Sequence, residues 1–97
     1  MTKTDEIRRK LAQCKPELES GFQVKEIGMF GSYVRGEQTR NSDLDILVEF
    51  EKAPGLFKFL ALEERLQTIL KVKVDLVMKS ALKPRIGKRI LSEVVYA

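Results

Sequence analysis

The sequence contains no histidine and no tryptophan, a single cysteine, and only three prolines. Without histidine, imidazole acid–base chemistry and the usual zinc ligand sets are excluded, so any catalysis falls to carboxylates. One cysteine cannot close an internal disulfide and fits a reducing compartment. Cys14 falls in helical phase with Ile7, Leu11 and Leu18 and is read as a packing residue. No apolar run approaches the roughly 18 residues of a membrane span. The opening residues M-T-K-T-D-E carry no apolar segment of a secretory signal, so the expected compartment is the cytoplasm and no membrane partner is expected. Two tyrosines, five phenylalanines and a net charge of +4 do not make the dense basic, aromatic-interleaved surface of a dedicated nucleic-acid binder, so direct nucleic-acid binding is not expected. Repeats, low-complexity segments and linkers are also lacking.

What is present is a chain of 97 residues, 43% hydrophobic and 33% charged, enough for one small domain over residues 1–97 with a modest core. Its net charge of +4 suits nucleotides, RNA or an acidic protein. The most informative stretch runs from Val24 to Phe50, V-K-E-I-G-M-F-G-S-Y-V-R-G-E-Q-T-R-N-S-D-L-D-I-L-V-E-F. It reads as a strand over Val24–Phe30, a Gly31-Ser32 turn, a short helix over Tyr33–Gly36, a polar loop, and a second strand over Leu44–Phe50. Asp43 and Asp45 stand at the mouth of that second strand. Residues two apart on a strand share a face, so both aspartates project together, away from Leu44, Ile46, Val48 and Phe50. Paired carboxylates repel and resist desolvation unless something compensates. Mg²⁺ does so with one or two carboxylates plus substrate phosphates; a solvated strand end is the plainer alternative.

Gly31 after an apolar strand permits positive φ or close approach to a ligand. Ser32 is expected to cap the helical turn that follows, whose free N–H groups suit an anion. Arg35, one turn on, is placed to meet a phosphate or a carboxylate such as Asp43, with a structural ion pair as the alternative.

Flanking elements follow from periodicity. A first helix begins near an N-cap at Thr4, with Asp5 and Glu6 in its first turn. Pro16 is expected to end or kink it, or to start a further turn through Glu19, and Gly21 to close it. Leu56, Phe59, Leu62, Leu66 and Ile69 mark an amphipathic helix to about Leu70, read as core. Lys71–Met78 alternates as a third strand, with Val72, Val74, Leu76 and Met78 opposite Asp75. Pro84 opens a final helix carrying Ile86, Ile90 and Leu91, and Val94–Tyr96 is a candidate edge strand. The basic run Lys79, Lys83, Arg85, Lys88 and Arg89 suits an acidic surface or a solvated helix face. Asp75 is unusual within a β-branched strand: it either blocks edge pairing or emerges beside Asp43 and Asp45.

The combination G-S-Y-V-R-G-E-Q-T-R-N-S-D-L-D-I-L-V resembles the signature of the DNA polymerase β-like nucleotidyltransferase superfamily. More narrowly it is similar to the minimal nucleotidyltransferases that act as antitoxins in HEPN/MNT toxin–antitoxin pairs, and the likeness covers nearly the whole chain. It implies an α/β (α+β) nucleotidyltransferase fold, a small mixed sheet of three to four strands with helices packed on one face and the acidic face open. It implies that Asp43, Asp45 and Asp75 hold a pair of Mg²⁺ ions, with Asp75 the candidate base. Gly31, Ser32 and Arg35 would receive the phosphates of ATP. The implied reaction carries AMP onto a hydroxyl, a tyrosine, of a HEPN ribonuclease toxin. Two other readings stay open: an antitoxin that masks its toxin without chemistry, and a transferase acting on RNA or a small hydroxylated molecule.

Overall fold

Ile7, Leu11 and Leu18 recur at helical spacing, and all three are buried along helix α1, Lys3–Phe22. The computed structural model describes residues 3–97. After α1 come strand β1 (Val24–Phe30), a single-turn helix α2 (Ser32–Arg35), strand β2 (Leu44–Phe50), helix α3 (Leu56–Leu70), strand β3 (Val74–Met78), a 3₁₀ turn (Lys79–Ala81), helix α4 (Pro84–Glu93) and a short strand β4 (Val95–Tyr96).

The four strands form one mixed sheet in the order β3-β2-β1-β4. β1 runs antiparallel to β2 and to β4, while β2 and β3 are parallel, the pairing that a crossover helix such as α3 permits. α1 packs on β1 and α3 on β3, and the two helices touch each other. Between them and the sheet lies one core built from residues such as Leu11, Ile27, Met29, Leu44, Ile46, Val48, Leu62 and Leu66. Burying each such side chain contributes about 1.5–3 kcal/mol. The opposite face is not bare, because Leu47 and Phe30, which lie on Asp45's side of the sheet, are 1% and 8% exposed.

Both sheet edges are managed. On β3, the N–H groups of Val74 and Leu76 donate to Gln67 Oε1 (3.0 Å) and Glu63 Oε2 (3.2 Å) of α3, which withdraws them from edge pairing. On the other side, Arg8 Nε and Lys15 Nζ of α1 donate to the carbonyls of Tyr96 (3.0 Å) and Ala97 (2.9 Å) and hold β4 in place. Gly28 allows the close approach of β4, since a Cβ there would meet Val94 Cγ2 and the Val95 carbonyl at 2.9 Å.

Several local expectations are corrected. Pro16 does not break α1, which continues to Phe22. The carbonyl that loses its helical partner is that of Ala12, an exposed residue where water is available to take the bond. Gly21 lies inside the helix; Gln23, at φ 58°, makes the left-handed exit and donates to Glu19 O at 3.1 Å. Thr4 sits within α1 rather than at its cap, and its hydroxyl donates to Tyr33 O at 2.8 Å, tying α1 to α2. β3 begins at Val74, because Lys71 (φ 58°) ends α3 in the left-handed region. The apolar stripes of α3 and α4 are only partly core: Leu56 is 68% exposed and Ile86 58% exposed.

Candidate active site

The parallel register of β2 and β3 pairs Leu44 with Val74, Asp45 with Asp75 and Ile46 with Leu76. The four flanking apolar residues are buried, so Asp45 and Asp75 leave the sheet together on its other side. Asp43 stands one residue before β2, exposed, on the same side as Asp45. The loop that delivers it is fixed by Thr39 and Ser42: Thr39 N–H donates to Ser42 Oγ (2.8 Å) and Ser42 N–H to Thr39 O (3.1 Å). Leu44 N–H then bonds Lys73 O at 2.8 Å, locking the start of β2 to the approach of β3.

Asp45 is half-buried, and its carboxyl titrates above the ordinary aspartate range. Burial is the main cause, followed by the charges of Asp75 and Asp43; Arg35 opposes the shift and Glu93 adds to it. The donor set therefore suits a hard divalent cation: carboxylate oxygens on one face, one of them destabilised as an anion by its neighbours. Among the described residues, no three such side chains are already gathered around one metal-sized point. Mg²⁺ does not require a preformed cage, because it usually takes one or two carboxylates and completes its shell with water and phosphate.

Gly31 is required here twice over. Its backbone adopts φ 81° and ψ −153°, a region that residues bearing a Cβ avoid. A Cβ at this position would also collide with Asp45 Oδ2. Gly31 is the N-cap residue of α2, and its carbonyl accepts from the N–H groups of Val34 and Arg35, both at 3.1 Å. Ser32 is thus the first residue of α2 rather than its cap. Gly36, in the left-handed region at φ 73°, closes the turn.

Arg35 does not pair with Asp43. Its Nε donates to Glu37 Oε1 at 2.6 Å, and its Nη1 reaches Glu93 Oε1 and Oε2 at 3.1 and 3.3 Å. Hydrogen bonds to these two carboxylates hold the guanidinium firmly protonated. Nη2 is engaged in neither pair. Glu93 Oε1 also accepts from Gly31 N–H at 2.9 Å, so the amide expected to face an anion faces a carboxylate of this chain. Sequence reasoning missed Glu93. It is the last residue of an amphipathic helix, and only the register of β4 against β1 brings it to the Gly31 turn.

Beside Asp43 lies an open cavity of about 420 Å³, lined by Tyr33, Asn41 and Val72 and by the cations Arg40, Lys71 and Lys73. A cavity of similar size, about 410 Å³, at the far end of β2 holds the Glu49–Lys79 pair (3.7 Å) and none of the three aspartates. Cys14, half-buried with Sγ donating to Leu11 O at 3.4 Å, has its thiol pushed up chiefly by burial, as befits a packing residue. Among the described residues no helix is long and apolar enough to cross a membrane.

The sequence profile described as "Nucleotidyltransferase domain" matches residues 11–97. A relative from Thermococcus cleftensis, the protein adenylyltransferase MntA, is 55% identical over 96 residues, covering 99% of this chain and 97% of the relative. A solved structure provisionally described as a minimal nucleotidyltransferase superposes with a TM-score of 0.78 at 32% identity, covering 98% of this chain and 95% of that one. A second, a toxin–antitoxin crystal structure with AMP-PNP, gives a TM-score of 0.74 at 26% identity over 92% of this chain and 70% of that chain. Sheet, turn and acidic strand pair thus agree with sequence kinship along nearly the whole length: the chain belongs to the nucleotidyltransferase family, among its minimal members.

Proposed function

We propose that this enzyme transfers AMP from ATP to a hydroxyl, a tyrosine, of a HEPN ribonuclease toxin and thereby acts as its antitoxin. The observation that carries the reading is the side-by-side emergence of Asp45 and Asp75 from parallel strands, with Gly31 against Asp45. Kinship to a protein adenylyltransferase supports protein as the acceptor, and likeness to a toxin–antitoxin structure holding AMP-PNP supports both the nucleotide and the partner.

In this reading Asp43, Asp45 and Asp75 would hold Mg²⁺, which when bound neutralises the triphosphate and lowers the pKa of the acceptor hydroxyl. Ser32 and Arg35 orient the phosphates from the Gly31 turn. The acceptor oxygen forms a bond to the α-phosphorus, the bond from that phosphorus to the bridging oxygen opens, and pyrophosphate leaves. Asp75, exposed on β3, takes the acceptor's proton. The attached AMP adds bulk and negative charge, which would repel RNA from the toxin.

The test is incubation of the pure chain with α-labelled ATP, Mg²⁺ and a HEPN protein encoded beside it. Label should appear on the partner and disappear when its acceptor tyrosine is changed to phenylalanine. Asp43→Ala and Asp45→Ala should each lower the transfer rate by roughly a thousandfold. If label stays off the partner while the Asp43→Ala/Asp45→Ala chain still suppresses toxicity, the antitoxin works by masking and the enzymatic reading is wrong. Label on RNA instead would move the acceptor to nucleic acid.

A further inference from the structure

Resting on that reading of the site, we infer that Glu93 is a positioning residue that presets the Gly31 turn and aims Arg35 at the incoming phosphates. β4 meets β1 with Gly28 opposite Tyr96 and Met29 opposite Val95. Continued toward the site, this register sets Gly31 opposite Glu93. The ladder, however, stops at Val95, where β4 begins. At the position where the next strand carbonyl would stand, the Glu93 side chain takes over and accepts from Gly31 N–H at 2.9 Å. The same carboxylate receives Arg35 Nη1 through both oxygens, at 3.1 and 3.3 Å.

Three features argue that this contact is built for the site rather than incidental. First, Glu93 is the last residue of α4, where the helix dipole disfavours an anion; the Arg35 charge and the Gly31 amide compensate. Second, the Glu93 side chain is 22% exposed against 41% for Arg35, so the carboxylate end of the pair is the more sheltered from solvent screening. Third, the guanidinium is held from two sides, by Glu93 and by Glu37 on Nε. This fixes its plane while leaving Nη2 outside both pairs. A turn at φ 81° has little intrinsic preference for its shape, and a fixed donor set removes the ordering cost from nucleotide binding.

The experiment is calorimetric titration of MgATP into the full chain and into Glu93→Gln and Glu93→Ala variants, with thermal unfolding run alongside. Glu93→Gln keeps an acceptor for Gly31 but removes the negative charge that faces Arg35. Its Kd for MgATP should rise about tenfold, the scale of one lost charge-assisted bond, while its melting temperature moves by no more than about 3 °C. Glu93→Ala should weaken binding at least as much. The Gly31 amide and Arg35 Nη1–H resonances should move between wild type and Glu93→Gln, while Arg35 Nε–H, held by Glu37, should stay close to its wild-type position. An unchanged Kd, or Gly31 and Nη1–H resonances that do not move, overturns the inference. A tighter Kd also overturns it, since Glu93 would then be competing with phosphate for the same donors. If wild-type chain binds no MgATP at all, the nucleotide reading of the site falls and takes this inference with it.

Discussion

At the scale of single residues, Asp45 carries the site's cost. Its carboxyl is held above the ordinary aspartate range by burial and by Asp75 and Asp43, so the folded chain binds that proton more tightly than the unfolded chain does. Such a group contributes stability below the unfolded pKa of about 4 and loses it as pH rises through the folded value. Asp45→Asn should therefore be more stable than wild type at pH 7 without metal, by less than about 1 kcal/mol once screening at a half-exposed group is counted. The gap should close as pH falls toward about 4. Thermal unfolding of both proteins at the two pH values measures it. Mg²⁺ should raise the midpoint of wild type and leave that of Asp45→Asn nearly unmoved. Gly31 gives the complementary case. Gly31→Ala forces a Cβ into Asp45 Oδ2 and into an unfavourable φ, which should cost about 1–3 kcal/mol. Denaturant titration would record that loss, and MgATP affinity should fall with it. A Gly31→Ala chain as stable as wild type would mean the turn can relax away from Asp45.

At the scale of elements, the sequence was most legible where one period dominated. β2 and α3 fall at the expected bounds because strand alternation and helical spacing run through them between proline, glycine or polar breaks, and β1 does so as well although its register shifts between Val24 and Glu26. The shared face of Asp45 and Asp75 followed from the same alternation once β3 lay beside β2. Ends and pairings were less legible. The left-handed exits at Gln23 and Lys71 involve residues without a strong preference for that conformation, so no local signal marks them. Glu93 reaches Gly31 across 62 positions, a contact set by strand register rather than by any motif. Pro16 misleads for another reason: the α1 packing of Leu11 and Leu18 on either side of it outweighs one missing helical bond. Pro16→Ala should therefore stabilise α1 by about 1–3 kcal/mol, the range expected for restoring that bond and relieving the ring. A helix still continuous and a higher melting temperature are the expected results. No change would show that the ring's restriction of the unfolded chain offsets its cost in the helix.

At the scale of the whole molecule, the unevenness of burial is informative. α1 spends its apolar residues on the core, whereas the first turn and a half of α3 leaves Leu56, Phe57 and Leu60 exposed at 68%, 87% and 46%. Leu56 and Leu60 are four apart and share a helix face, with Phe57 beside them. Aromatic and aliphatic groups clustered in solvent mark association surfaces more often than chance, and a buried aromatic anchor commonly carries much of an interface's affinity. The core does not use these side chains: α3 contributes to it through Leu62, Leu66 and Leu70 instead. If the HEPN partner proposed above covers this end of α3, Phe57→Asp should weaken that complex by at least about tenfold, within the cost of truncating one interface anchor. Its melting temperature alone in solution should stay within a few degrees of wild type, since the residue stabilises nothing in the free chain. Titration calorimetry with the partner and thermal unfolding of the free protein separate the two effects. Because Phe57 lies on a different element from the three aspartates, the variant should still bind MgATP with wild-type affinity. Loss of partner binding with nucleotide binding intact would place the docking surface on α3, apart from the acidic face. Undiminished partner affinity would mean that the partner docks elsewhere, and the exposed, basic α4 with Ile86 and Leu91 would be the next surface to mutate.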